Sequence, residues 1–503
     1  MNSHYDVIVI GSGFGGSVAA STLVNAGQRV LLLERGPWRD TRPVRMAGID
    51  KRSPLPQGRH FYSHLLHRLA LPWTKGNGIR MNRHGLFDIH LSADMSVICS
   101  SSVGGGSHVY SAMNTRPAKS DYWDGHSQHI SSSDMEAHYQ WMIATMGARQ
   151  PTADDNIPNF TGTAFRDSKD FIADDSVGQP AMSVRMEGDP DDWQNNSFLG
   201  SQSGSKATLD QRLLLPAVEQ GLEIRALHEC LAIWRTPNGY RLDVQDHQRK
   251  QIINLTSHRV VLAAGTLNTL RLLFHSRDVG GLKGMQTLGL GFGGNGDVPA
   301  WWPLNSEQNL SSGTPCHGRF ALRANDSDQA MTLPGCLPVD LTRYGVNGIE
   351  QIPLPARIRQ RLQRDLIVVG MGADNANGVA RWHKGRLSFR YLQESNPILA
   401  SVYAHLAEVG RRSGSALRFM RNRPLTVHPL GGARLADHSE SGVVNGFGEV
   451  HDHPGLFIAD AAALPAAPGT PPSMTISAWA RHVALHIPNA THKKAVKARS
   501  KTS

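Results

Sequence analysis

The stretch "YDVIVIGSGFGGSVAASTLVNAGQRVLLLERG", residues 5–36, constrains the fold more than any other part of the chain. Tyr5–Ile10 is apolar apart from Asp6 and rich in β-branched residues, without polar alternation, which predicts a central parallel strand buried on both faces. Gly11, Gly13 and Gly16 follow in the spacing GxGxxG, then a small-residue helix over Ser17–Asn25 that stops at Gly27. A second apolar strand, Gln28–Leu33, ends on Glu34, 23 residues after Gly11. Gly11 permits the tight turn, and Gly13 lets backbone N–H groups approach a pyrophosphate at the positive end of the helix. Gly16 lets helix and strand pack closely, and Glu34 is placed to accept from a ribose hydroxyl. Strand, helix, strand and acid in register predict a dinucleotide site on a parallel sheet.

The motif's place at the start of the chain favours FAD over NAD. The 503 residues suffice for two or three domains' worth of core, and 40% hydrophobic against 19% charged residues predicts a folded globular protein. No apolar run approaches the roughly 20 residues that span a bilayer. "MNSHYDVIVIGSG" enters a strand at once, without a basic n-region or cleavage site, so the expectation is a soluble cytoplasmic protein. Cys99, Cys230, Cys316 and Cys336 lack CxxC spacing, which argues against a zinc ribbon and for a reducing compartment.

The net charge of +10 invites a nucleic-acid reading that its distribution weakens. Lys493, Lys494, Lys497, Arg499 and Lys501 sit in an acid-free tail, 491–503, read as a solvated, flexible end. "RIRQRLQR" at 357–364 reads as a solvated helix face or a patch drawn to acidic surfaces, such as a transient membrane contact. No RNA-binding or zinc-finger motif accompanies either, so no nucleic-acid partner is expected. His60, His64 and His67 fall at i, i+4 and i+7 and could share a helix face, but without an HExxH pattern they read as solvated or hydrogen-bonded, and no metal site is expected.

Gly104, Gly105 and Gly106 in "SSSVGGGSHVYSAMNTRP" are costly in chain entropy, so some feature requires backbone without side chains there. Alone, they read as a hinge or as a floor for a flat ligand. Further along, "VVLAAGTLNTLRLL" repeats a strand–glycine–helix pattern. Later segments predict a helix over Ser133–Gly147, strands over Leu366–Val369, Arg386–Tyr391 and Leu456–Ala459, and helices over Ala400–Gly410 and Ser473–His486. Trp301 and Trp302 read either as pocket or lid aromatics or as core.

Four distant pieces, the GxGxxG unit, "SVGGGS", "AAGTLNTLRLL" and "HPLGG…LFIADAAALP…PSMTI", together resemble the glucose–methanol–choline (GMC) oxidoreductases. Within that family they are most similar to the bacterial non-covalent cholesterol oxidases. The resemblance implies an α/β fold, a Rossmann-like FAD-binding domain interleaved with an α+β substrate-binding domain. The implied boundaries are 1–39, 206–297 and 440–490 for FAD, and 40–205 and 298–439 for substrate. It implies non-covalent FAD held by Gly11, Gly13, Phe14, Gly15, Gly16 and Glu34, with Gly104, Gly105, Gly106 and Ser107 against the flavin and pyrophosphate. Cys230 would contact adenine through its backbone, and Gly265 would follow the second nucleotide-facing strand. Asp460 and Ala461 would face the ribityl region, and Pro472, Met474 and Thr475 the flavin's pyrimidine edge.

It further implies oxidation of a bulky hydrophobic alcohol, a sterol or other lipid-like molecule, with oxygen or a quinone-like carrier as electron acceptor. His428 is the expected base, an imidazole suited to a proton transferred near neutral pH. Three departures stand out. Pro471 occupies the position of the family's second catalytic residue, usually Asn or His, and carries no side-chain donor or acceptor. The window 321–340 offers Asp326, Asp328 and Asp340 but no glutamate for double-bond migration, so isomerase activity is expected to be lost. His108 stands one position from the site of covalent flavin attachment in some relatives, and Tyr110 replaces an asparagine near the flavin. Pro471 keeps two alternatives open: other flavin chemistry on a non-sterol substrate, or a flavin-binding protein without oxidase activity. The oligomeric state is left open.

Overall fold

The largely apolar N-terminal run becomes the strand His4–Ile10, whose residues beyond His4 are all buried. In this computed structural model the described residues are 4–489 apart from 75–77, 156–168, 174–179, 188–196, 305–309, 312, 325–328 and 422. The basic tail, Asp326 and Asp328 therefore lie outside them.

His4–Ile10 pairs in parallel with Val30–Glu34 on one side and with the long strand Gln251–Leu262 on the other. Glu223–Ala226 extends the parallel array beyond Val30–Glu34, and Leu456–Ile458 adds to the end of Gln251–Leu262. The first half of Gln251–Leu262 instead carries an antiparallel meander, Gly239–Asp246 and then His228–Thr236. The seven-stranded sheet thus gathers segments from three distant parts of the chain. The helix starts at Phe14, three residues before the sequence reading placed it, because Gly13 itself serves as the N-cap. It runs to Asn25 and packs against the C-terminal helix Ser473–His486.

A second, six-stranded antiparallel sheet is ordered Phe171–Ala173, Cys316–Leu322, Asp340–Gly345, Leu366–Met371, Val298–Trp302 and Arg418–Phe419. Trp301 and Trp302 belong to this sheet rather than to a lid. Trp302 is buried between Phe171 and Phe320, and Trp301 Nε1 donates to Asp365. The helix Pro397–Ser413 lies against the sheet, its buried positions Ile398, Val402, Leu406 and Val409 spaced three or four apart as one apolar face. A five-stranded sheet, Leu425–Thr426, Ser96–Ser100, Phe87–His90, Leu66–Ala70 and Ile79–Arg80, leads into the triple glycine.

The three histidines of 60–67 do not share a helix face. The helix is only Phe61–His64, and His67 falls in the strand Leu66–Ala70. His67 Nδ1 lies 2.6 Å from the buried Asp88, which also pairs with Arg35 at 2.6 Å. Burial alone would raise the Asp88 carboxyl, but Arg35 and His67 hold it well below the usual carboxylate range. Arg357, Arg361 and Arg364 are exposed on or just after the helix Ala356–Leu362, as both readings of the basic run require.

Candidate functional site

Two glycine loops meet at the end of His4–Ile10. Gly11 has φ +95°, and a side chain there would meet the backbone of Ala263 and Ala264. Gly105, at φ +51°, lies so close that its Cβ would stand 2.5 Å from Gly13 Cα. Ser12 ties the loops together. Its hydroxyl donates to Glu34 Oε2 at 2.7 Å, lies 3.1 Å from Ser102 O, and accepts from Gly104 N at 3.2 Å. Glu34 is buried and also accepts from Ser12 N and Gly36 N. Burial pushes its carboxyl up, against the pull of those donors.

The space in front of Gly13 is open: a Cβ there would meet no atom within 4 Å. No side chain caps the twelve-residue helix that begins beside it, so its first N–H groups are left for an anion. The buried hydroxyls of Ser101 and Ser102 likewise lack a protein partner. These features fit a dinucleotide laid across the two loops with its pyrophosphate at Gly13. Within the triple glycine, Gly105 is what lets the two loops touch, because any side chain there would strike Gly13.

Behind this loop, Lys206 is fully buried and donates to His108 O, Tyr110 O and Ser197 O at 2.7–3.1 Å. Burial pushes its ammonium down to about 7, while three carbonyl acceptors match its three protons. His108 Nε2 donates to Val103 O at 2.8 Å and lies 3.5 Å from the buried Asp210. Ser107 Oγ accepts from Leu209 N. Phe14 meets Tyr110 edge to face, 5.5 Å between ring centres. Cys230 sits at a bulge in His228–Thr236.

A second bundle of contacts joins the later motifs. Asp460 accepts from Gly265 N at 2.9 Å, Thr269 Oγ1 at 2.5 Å and Ala462 N at 2.9 Å. The HPLGG segment runs beside it, with Gly431 N donating to Ala461 O and Thr266 Oγ1 to Pro429 O. On its other side Leu430 exchanges backbone hydrogen bonds with Gly293. Met474 and Thr475 are buried in the first turn of Ser473–His486, where Pro472 is the N-cap.

Burial pushes the Asp460 carboxyl up to about 6, against the hydrogen bonds from Thr269, Ala462 and Gly265. A carboxyl raised on folding binds more protons in the folded state, so its stabilising contribution is complete below its unfolded value and lost as pH rises through its folded one. The loss amounts to roughly 3 kcal/mol at most between about pH 4 and pH 7. In cofactor-free protein, the unfolding free energy of the native chain minus that of Asp460→Asn should fall across that range. A pH-independent difference would contradict the assignment.

The turn Gly294–Asp297, within "GFGGNGDVP", holds two loops that sequence reasoning had treated separately. Asn295 donates to Thr470 O at 3.0 Å and accepts from Gly469 N at 2.8 Å, so it clamps the loop that carries Pro471. Asp297, 3% exposed, lies 2.8 Å from His428 Nδ1. Among the described residues His428 Nε2 has no hydrogen-bond partner, and the side chain is partly open to solvent. Asn295, Asp297 and Lys206 escaped the sequence reading. Only the glycine-dense run around Asn295, which adopts φ +59°, hinted at an unusual turn.

A second, separate apolar cluster lies between the segment after the glycine loop and the six-stranded sheet. It comprises Ala112, Met113, Met182, Val184, Met186, Cys316 and Tyr344, with Tyr110, Phe198, Ile367 and Val369 packed against it. No group of three or more His, Cys, Asp or Glu side chains disposed to hold a metal occurs among the described residues. Nor is any helix among them long and apolar enough to cross a membrane.

Comparison with known proteins identifies the family to which this fold belongs. A family model described as GMC oxidoreductase matches residues 5–282, and a second of the same description matches 392–480. The chain is 25% identical to a cholesterol oxidase of Mycobacterium tuberculosis, over 97% of this chain and 92% of that protein. It is 23% identical to a cholesterol oxidase of Acinetobacter baumannii, over 97% and 95%. The large subunit of a fructose dehydrogenase from Gluconobacter japonicus is 22% identical, over 96% and 98%. Among solved structures, pyridoxine 4-oxidase from Mesorbium loti shares the fold at TM-score 0.61 and 19% identity, covering 96% of this chain and 99% of that one. A fungal aryl-alcohol oxidase does so at TM-score 0.58 and 14% identity, covering 96% and 98%.

Proposed function

The chain belongs to the GMC oxidoreductase family, and from that premise we propose that it oxidises a bulky hydrophobic alcohol to the carbonyl, with His428 taking the hydroxyl proton. Membership makes it an FAD-dependent alcohol oxidoreductase. Bound FAD supplies the acceptor, at flavin N5, for the hydride that leaves the alcohol carbon. The residues of the two glycine loops, Gly11–Gly16 with Glu34 and Gly104–Ser107, hold the cofactor in this reading, together with Cys230, Gly265, Asp460, Ala461, Pro472, Met474 and Thr475. The attachment is read as non-covalent, since His108 stands one position from the site of covalent attachment in some relatives.

The observation that carries the proposal is His428 itself. Its Nδ1 is tied to a buried carboxylate, while Nε2 is left free to accept a proton and orient the substrate oxygen. Pro471 offers no second side chain, so proton acceptance rests on this one imidazole. The cholesterol oxidases among the relatives favour an apolar substrate, a sterol or another lipid-like alcohol. We assign 1–39, 206–297 and 440–490 to the cofactor part, and 40–205 and 298–439 to the substrate part. Oxygen or a quinone-like carrier then takes the electrons.

Asp340, the one described acid of the 321–340 window, is paired with Arg319 at 2.7 Å, so a sterol product is expected to keep its double bond in place. Pro471 favours two other readings, a flavoprotein of this fold with other flavin chemistry on a non-sterol substrate, and a flavin-binding protein without oxidase activity. Anaerobic mixing with a panel of hydrophobic alcohols separates the readings. The flavin's visible absorbance should bleach with at least one of them, and a panel that leaves the spectrum unchanged would overturn the proposal.

A further inference from the structure

We propose that Asp297 is the positioning residue for His428, fixing Nε2 as the proton-accepting nitrogen; this rests on the reading of His428 as the base. The carboxylate oxygens of Asp297 lie 3.0 and 2.8 Å from His428 Nδ1. A carboxylate only accepts, so Nδ1 must carry the hydrogen, and a neutral imidazole then has its lone pair on Nε2. The backbone is fixed to the same acid. Val427 N donates to Asp297 Oδ2 at 3.2 Å, and Thr426 Oγ1 lies 2.8 Å from that oxygen while accepting from His428 N at 2.8 Å. Ring and main chain of His428 are therefore both referenced to one buried side chain.

That side chain stands on a rigid support. Asp297 directly precedes the strand Val298–Trp302, whose first residue pairs with Gly370 in the six-stranded sheet. The adjoining Gly294 N donates to the buried Asp374 at 2.8 Å. When Nε2 takes the proton, the carboxylate faces the resulting imidazolium and stabilises it in a water-poor setting. With Pro471 in place of a second polar residue, this support has no side-chain substitute on the neighbouring loop.

The test is Asp297→Asn in the FAD-loaded full chain. The amide removes the negative charge that faces the ring, and with its oxygen held at the Oδ2 position by Val427 N and Thr426 its N–H₂ stands at the Oδ1 position, 3.0 Å from Nδ1, where it opposes a hydrogen on that nitrogen. Anaerobic flavin reduction by an alcohol active on the native protein should slow by at least about 100-fold; the equivalent change behind a hydrolytic imidazole costs about 10,000-fold. FAD content and alcohol affinity should hold. In a His428→Ala background the same change should add almost nothing, because the two act as one unit. Reduction by Asp297→Asn at close to the native rate, or a full additional loss on top of His428→Ala, would overturn the proposal.

A slow His428→Ala with a fast Asp297→Asn would sink the role of Asp297 alone. A fast His428→Ala would sink the reading of His428 as well. If Asp297→Asn does not fold, nitrogen NMR of the native FAD-loaded protein with isotopically labelled histidine decides without a variant or a substrate. The neutral His428 ring should carry its hydrogen on Nδ1, and a hydrogen on Nε2 would overturn the proposal.

Discussion

Gly105→Val should give a protein that folds but binds little or no FAD. The first added carbon would stand 2.5 Å from Gly13 Cα and 3.0 Å from Gly13 N, backbone atoms that cannot swing aside. The residue also has φ +51°, where a side chain costs about 1–2 kcal/mol and a β-branched one more. Relief requires the two glycine loops to part. That breaks the contacts of Ser12 Oγ with Ser102 O and Gly104 N and moves Gly13 away from the helix N-terminus it opens. The sheet beneath is built by long-range pairing and should survive. Gly106→Ala is the contrast for the loop contact itself: its Cβ meets the Phe14 ring at an ordinary 3.7 Å and Ser100 Oγ at 4.0 Å, so the two loops should stay together in this variant. Flavin-to-protein absorbance ratios of the purified variants, with a thermal melt of each, give the answer. Full occupancy in Gly105→Val would refute the loop-to-loop account.

His428→Gln should retain FAD and lose the reaction. Glutamine can still donate to Asp297, so the buried carboxylate keeps a partner and the fold is spared the cost of an orphaned charge. It has no lone pair basic enough to take the hydroxyl proton. The loss expected for removing a general base is roughly 100- to 10,000-fold in the rate of flavin reduction. His428→Ala should lose as much activity and also some stability. A His428→Gln enzyme that reduces its flavin at near the native rate would remove His428 from the chemistry.

The parts of this protein that sequence could reveal are those encoded locally. The unit from Tyr5 to Glu34 announces itself because strand, turn, helix and acid follow one another with fixed spacing, and the structure differs only in starting the helix at Phe14. Ser473–His486 was legible for the same reason, as an apolar helix with a proline at its entry. The triple glycine was legible as an anomaly, but its partner Gly13 lies some 92 residues away. Asp297 was invisible because its meaning depends on a residue 131 positions later, and one aspartate before a strand has no pattern of its own. Lys206 carried no signal either, since its three partners are carbonyls, which every residue possesses. His67 was misplaced on a helix because histidine spacing says nothing about where the helix ends. The family resemblance supplied His428 and Pro471, and the turn that holds both loops came from the fold.

The central claim is that this chain moves a hydride from a hydrophobic alcohol to its flavin while His428 takes the proton. Anaerobic single-turnover oxidation of an alcohol carrying deuterium at the carbinol carbon, with the carbonyl product quantified, tests it most directly. The account predicts slower bleaching than with the unlabelled alcohol, carbonyl equimolar with reduced flavin, and neither event in His428→Gln. Bleaching without carbonyl, or equal carbonyl formation in His428→Gln, would contradict it.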